Sequence, residues 1–302
     1  VGLEPISRSG EFYFTQKGLP WPGAASTVVA LVCFYKGAWT GTRQCNDTTC
    51  DRIGPRLEPE GASGGWTPKP LNSALFAFEG VNNSKGLAFV ITENHPWFGR
   101  LRAEKSSLLR PYVTGDDLTS TSFTRLERWA LDIADRSLDE IAKTWPVAHE
   151  FLVEQVEPTR TPQALKSYKG LFDRWWQFWN HRAGQMRRLR RQPNCIAFCK
   201  VAKYSICMRA PTEWLFTNKV ILVEEADPGT FAICLSSALQ VWVQHYSVKN
   251  LQDNRTVSSL SISEAFVTLP LPQIGVSTKG IDAAIKFQGM LVAWSRENCK
   301  GM

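Results

Sequence analysis

Apolar and polar positions follow different rules in successive parts of this chain. Residues 1–60 read as strands. Glu11–Thr15 is a short strand candidate, and Thr27–Tyr35 (TVVALVCFY) is a continuous β-branched apolar run, the pattern of a strand buried on both faces. Pro20-Trp21-Pro22-Gly23 before it has turn chemistry. Gly61–Pro70 is rich in Gly, Ser and Pro and reads as a boundary. Residues 71–118 alternate short strands, notably Leu87–Thr92, with turns. Leu138–Lys143 and Val147–Val153 carry helical spacing on either side of Pro146.

The spacing predicts a long helix within Gln163–Arg191. Phe172, Trp175, Trp179, Ala183 and Met186 form one stripe, with Arg174, Arg187, Arg188 and Arg191 off it. Arginines in a last turn also suit the helix dipole, and Pro193-Asn194 ends the run. Strands are expected at Cys195–Val201, Tyr204–Arg209 and Lys219–Val223, then helices at Phe231–Tyr246 and Gly280–Glu297. No internal repeat or low-complexity tract interrupts this order.

Charge sharpens the picture around the aromatic and arginine segment. Between Arg160 and Lys219 there are thirteen Lys and Arg against two acids, Asp173 and Glu213; that window is +11, so the rest of a chain with net charge +7 carries −4. A concentrated field of one sign implies a polyanionic partner, nucleic acid above all, although a solvated basic face gives the same count.

The 302 residues suffice for one large domain or two ordinary ones. No apolar run reaches membrane-spanning length, and VGLEPISRSG lacks the apolar core of a signal peptide, so a cytoplasmic protein is expected. The start at Val1 without an initiator Met reads as a piece of a longer protein. Eight cysteines without a CxxC pair suggest reduced, mostly buried thiols; Cys45 with Cys50, or Cys195, Cys199 and Cys207, would be the places for a metal.

Catalytic signatures are missing. There is no glycine-rich phosphate loop, no GxSxG and no HExxH. Asp116-Asp117 lies in turn-like sequence, where acids hydrogen-bond backbone. Asp132, Asp135, Asp139 and Glu140 read as a helix N-terminus capped by Asp135 or Ser137. Cys199 beside Lys200 could be an activated thiol, but a buried cysteine is the simpler reading. The residues describe a binding module, with no catalytic residue and no metal ligand assigned.

A set of separate segments, in order, resembles one family. They are Pro20-Trp21-Pro22-Gly23-Ala24-Ala25 with Lys36-Gly37; Leu109 to Leu118 (LRPYVTGDDL); Arg128 to Ile133 (RWALDI) with Ser137; Val156-Glu157-Pro158-Thr159-Arg160; Trp175-Trp176 with Arg182; Phe231 through Leu235-Ser236-Ser237 to Trp242; and Thr268-Leu269-Pro270-Leu271-Pro272. In this order they are similar to the C-terminal half of MmeI-like DNA methyltransferases, the type IIL restriction–modification enzymes, with phage-defence methyltransferases of the BREX type close by. One departure is the leucine before each proline at 269–272, where the family carries phenylalanine.

The resemblance implies an α+β fold of mixed and antiparallel sheets packed with several helices. Residues 1–65 would be the last strands of a methyltransferase Rossmann-like sheet, 66–275 a target recognition domain, and 276–302 a C-terminal helix. It implies site-specific adenine-N6 methylation in a parent enzyme. The Asn/Asp-Pro-Pro-Tyr/Phe and Phe-x-Gly-x-Gly-like motifs of such enzymes do not occur here. They would lie upstream, so this chain needs no cofactor while the parent needs S-adenosylmethionine. The expected partners are double-stranded DNA and the upstream methyltransferase domain, with no membrane.

Within that frame Arg182, Arg187, Arg188, Arg190 and Arg191 are candidates for phosphate. Lys200, Lys203, Tyr204, Arg209 and Lys219 are candidates for phosphates and base edges. Ser247–Ser259, with Lys249, Asn250, Gln252, Asn254 and Arg255, is a base-reading loop or an ordinary solvated one. Trp175, Trp176 and Trp179 are core by periodicity, with base stacking the alternative. Two other functions stay open: an RNA or single-strand binder, and a stand-alone enzyme with an unrecognised site.

Overall fold

The computed structural model describes residues 3–22, 28–60, 71, 75–84, 86–104, 107–119, 126–205, 207–252, 255–269 and 275–298. In chain order its helices are α1 (Leu3–Ser7), α2 (Pro96–Ala103), α3 (Gly115–Thr119), α4 (Leu138–Thr144), α5 (Pro146–Phe151), α6 (Ala183–Leu189), α7 (Pro228–Leu235), α8 (Ser237–Tyr246) and α9 (Thr278–Asn298). Its strands are β1 (Gly10–Pro20), β2 (Val28–Lys36), β3 (Arg43–Cys45), β4 (Thr48–Cys50), β5 (Ala77–Glu79), β6 (Val90–Thr92), β7 (Leu109–Val113), β8 (Arg128–Leu131), β9 (Asn194–Cys199), β10 (Val201–Ala202), β11 (Cys207–Pro211), β12 (Leu215–Phe216), β13 (Val220–Glu224), β14 (Val248–Gln252) and β15 (Arg255–Ser259). The fold is α+β with mixed and antiparallel sheets, as expected. Two compact units divide the chain: residues 1–70 with 248–259, and residues 71–247 with 260–302.

In the first unit the sheet order is β2-β1-β3-β4, with β1 antiparallel to β2 and parallel to β3. Asn46 and Asp47 both take positive φ, which closes the β3–β4 hairpin with the twist that a two-residue turn needs. Phe12, Cys45 and Ile53 form a small core here. The expectation that Thr27–Tyr35 is buried on both faces fails. The strand lies at a sheet edge, Leu31 is 51% exposed and Tyr35 46%; Thr27 lies outside the described residues. The hairpin β14–β15 also belongs to this unit.

The second unit holds two four-stranded sheets, β11-β9-β13-β5 and β12-β7-β8-β6. In the first of these, β9 and β13 alternate between two cores. Cys195, Ala197, Cys199, Val220 and Leu222 turn to a cluster with Val113, Met186 and Leu189. Ile196, Phe198, Ile221 and Val223 turn to a cluster with Phe231, Leu239, Val243 and Phe266. Both faces are filled, which is why these strands read as uninterrupted apolar runs. A third cluster joins β6–β8 to α2, α4 and α5 through Phe89, Leu101, Leu131, Ile141 and Phe151. Within 276–302 lies α9, whose Ala284 and Val292 pack into the two central clusters. The boundary sought at 61–70 falls outside the described residues.

Two helical expectations are corrected. Only Ala183–Leu189 of the run 163–191 is α-helical. Upstream of it, tertiary partners compete for the carbonyls that a helix would use. The buried Arg160 guanidinium donates to the carbonyls of Ser84, Trp175 and Gln177. Asn180 exchanges backbone hydrogen bonds with Asn82, and Arg182 takes a left-handed φ of 51°. Trp175 and Trp176 still pack on the core, with Trp176 Nε1 donating to the Arg136 carbonyl at 2.9 Å; Phe172 is exposed. The run Phe231–Tyr246 is two helices. Ser236 is extended (ψ 151°) and accepts from Leu239 N as the cap of α8.

Candidate nucleic-acid interface

Helix α6 buries Ala183, Met186 and Leu189 and leaves its arginines outward. His181 precedes it, and its Nδ1 accepts from Ala183 N at 3.2 Å. Burial holds the His181 imidazole below its ordinary pKa. Arg182 is half-buried, and its Nε has no hydrogen-bond partner.

The arginines that follow have different local roles. Arg187 lies 2.8 Å from Asp135, with both side chains substantially exposed; its guanidinium holds the Asp135 carboxyl below the usual range. Arg188 lies over the Phe76 ring and donates to Glu224. Arg190 donates to Asp132, which is 3% exposed and also faces Arg110. Ser137 caps α4, so Asp135 is left to meet Arg187. Exposed pairs of the Arg187 kind have small net energies and can exchange a carboxylate for a phosphate. Arg190 is structural, because its loss would strand a buried carboxylate.

Residues after β9 form a separate group. Lys200 N donates to the Lys219 carbonyl at 2.8 Å, so these two lysines are neighbours. Lys200 Nζ meets Glu79 at 2.6 Å. Lys203 and Tyr204 are exposed on the connection after β10, with Lys203 Nζ 5.0 Å from the Tyr204 ring centroid. Arg191, Lys203 and Lys219 are exposed and enter none of these ion pairs. Because β9 runs between Arg191 and Lys200, its five steps, about 17 Å, separate the arginine group from the lysine group. They cannot share one phosphate.

Arg209 lies on β11 and donates to Glu225 at 2.7 Å. Its backbone N and carbonyl are both held by the Gln288 side chain of α9, at 2.8 and 3.1 Å. Gln240 of α8 does the same to Ser205, accepting from its N at 3.2 Å and donating to its carbonyl at 2.6 Å. Sequence reasoning missed both glutamines, since polar positions on amphipathic helices read as solvent-facing.

The run Ser247–Ser259 is a hairpin and not a loop. Lys249 pairs with Ser258, Asn250 with Val257, and Gln252 with Arg255; Asn254 lies outside the described residues. A two-stranded ribbon has the dimensions of the major groove.

Among the described residues the acids and thiols have structural partners. Asp117 accepts from Thr114 and from Arg128. Burial raises the Cys199 thiol above its ordinary pKa and pushes Cys195 and Cys234 to about 12. Among the described residues no group of His, Cys, Asp and Glu could hold a metal, and no helix is long and apolar enough to cross a membrane. The strand–glycine–helix turn at Gly115 does not fit a nucleotide-type cofactor. A Cβ at Gly115 would meet Cys199 Sγ at 3.0 Å and the Lys219 carbonyl at 3.3 Å, so that space is already filled by protein.

Comparison with known proteins adds a family and a fold. Residues 68–273 match the model of the MmeI target recognition domain. A solved structure of the type IIL restriction–modification enzyme MmeI in complex with DNA is similar over 97% of this chain, with a TM-score of 0.59 and 15% identity. The chain spans 39% of that protein's length. No curated protein matches.

Proposed function

Since the chain belongs to the MmeI target recognition domain family, we propose that it selects the duplex-DNA sequence on which a restriction–modification enzyme acts. The family match carries the reading, because it covers most of the second unit and contains the whole basic window from Arg160 to Lys219. In this reading the exposed Arg187, Arg191, Lys203 and Lys219 grip phosphates. Their contacts give affinity and register and no sequence information. Base choice belongs to side chains that reach the major groove, for which the hairpin strands supply Lys249, Asn250, Gln252 and Arg255, with Asn254 between them in the sequence.

The parent enzyme would methylate adenine at N6 inside the cell, in the cytoplasm, as one arm of defence against phage. The base to be modified must leave the duplex. S-adenosylmethionine would supply the methyl group in the upstream methyltransferase part of the same protein, where the Asn/Asp-Pro-Pro-Tyr/Phe and Phe-x-Gly-x-Gly-like motifs missing from this sequence would lie. The first unit would then continue the methyltransferase sheet.

A single-strand or RNA reading would want aromatics laid open on a sheet. Trp175 and Trp176 instead pack against the apolar core. The test is competition: labelled mixed-sequence duplex bound to the chain, challenged with unlabelled single strands, RNA and duplex across a salt series. Duplex should displace best, and affinity should fall steeply with salt. Equal or better displacement by single strands would overturn the reading.

A further inference from the structure

The glutamine pairs point to a specific reading element. β11 is an edge strand of its sheet, and an edge presents backbone groups with no ladder partner. At Arg209 the Gln288 amide supplies both missing bonds, and at Ser205, before the strand, the Gln240 amide does so again. Each primary amide copies a peptide group, donating and accepting side by side. The two helices that provide them are anchored in one core cluster: α8 through buried Leu239 and Val243, and α9 through Ala284. Ser205 is itself 6% exposed. The chain is therefore tied down on the rigid body at Ser205, immediately after a pair of outward side chains.

That pair is Lys203 and Tyr204. Tyr204 is 56% exposed, although it is a large aromatic side chain next to a buried residue. A ring with a hydroxyl at its tip combines apolar contact with a hydrogen bond. Lys203 Nζ lies 5.0 Å from the Tyr204 ring centroid, and the exposed Lys219, whose carbonyl accepts from Lys200 N, stands just before β13 of the same sheet. A rigid tip is needed because side chains that discriminate between bases must be held to the productive geometry, and ordering a free loop on binding would consume affinity.

We propose that Lys203 and Tyr204 form a groove-contacting tip, Tyr204 against a base and Lys203 against the adjoining phosphate, and that Gln240 and Gln288 are its positioning residues. This rests on the duplex-DNA reading above and adds to it a second reading element, separate from the hairpin.

The test uses the whole chain and two probes: a duplex selected by the wild-type chain from a randomised pool, and the unselected pool. Tyr204→Ala should lower the preference for the selected duplex roughly tenfold while leaving the salt slope unchanged. Gln240→Glu, which keeps shape but cannot donate to the Ser205 carbonyl, should lower the same preference and speed hydrogen exchange at Ser205, with little change in the melting temperature. Gln288→Glu should act likewise through Arg209. Lys203→Ala should flatten the salt slope by about one unit. An unchanged preference in Tyr204→Ala overturns the tip. A lost preference there with none lost in either glutamine variant overturns the positioning role. Failure of the wild-type chain to bind either probe overturns the duplex reading itself.

Discussion

Arg190 and Asp132 meet at 2.7 Å, with the carboxylate almost wholly withdrawn from water and Arg110 3.2 Å from the same Oδ2. This pair separates two kinds of arginine in one short segment. Replacing Arg190 with Ala leaves a buried carboxylate with one partner fewer and should destabilise the fold by about 2–4 kcal/mol. Arg187→Ala breaks only an exposed pair and should change stability by less than about 1 kcal/mol. Urea unfolding of both variants checks this, and equal losses would contradict it.

Phosphate contacts should be visible in salt dependence. Arg191→Ala and Lys219→Ala should each reduce the slope of log affinity against log salt by about one unit, without changing the preferred sequence. The two groups lie at opposite ends of β9, so the double variant should lose about the sum of both.

Base readers should behave in the opposite way. Asn250→Ala or Gln252→Ala in the hairpin should cost about 1–3 kcal/mol at a single base pair and leave the salt slope alone. Selection from a randomised duplex pool measures it; an unchanged selected sequence would remove the hairpin from base reading.

Arg160 supports three carbonyls, with no acidic partner among the described residues, and burial lowers its pKa below the ordinary value for arginine. Arg160→Met should cost about 3 kcal/mol, because hydrogen bonds to a charged donor are lost and their carbonyls stay buried. Trp175 lies in the same assembly, so tryptophan emission should shift together with the loss of stability.

His181 gives a pH signature. Its imidazole caps α6 only when Nδ1 is unprotonated, and burial depresses its pKa, against the opposing pull of Asp135. A depressed folded value means that the unfolded chain takes the proton first. The contribution is complete above the unfolded value, about 6.5, and is lost as pH falls through the folded one. His181→Asn keeps an acceptor and should flatten the fall in stability between about pH 7 and pH 5. An unaltered pH profile would show that the loss arises elsewhere.

How much of this was legible in the sequence depended on where each residue's partners lie. β9 and β13 could be read because both of their faces are filled, so nothing polar interrupts the run. The run 163–182 could not, because its backbone answers to Arg160 and Asn82 and not to its own periodicity. Charge counting found the basic segment but not its carboxylates, which stand 36 to 58 residues away along the chain, at Glu224, Asp135 and Asp132. Some segments that carried the family resemblance prove to be joints: Asp132, Arg160 and Ser236 each hold a turn or a buried contact. Gln240 and Gln288 left no signal at all, since a polar residue on an amphipathic helix looks the same whether it faces water or a strand edge.

The edge strands also set how this chain behaves in crowded solution. At Arg209 β11 offers nothing to an incoming strand, because Gln288 already occupies its outward amide. β2 is different: it ends its sheet with Leu31 and Tyr35 half bare. An unprotected apolar edge invites strand-to-strand association between copies. Concentrated preparations of the chain should therefore self-associate through β2, and a lysine at position 31 should raise the concentration at which they cloud.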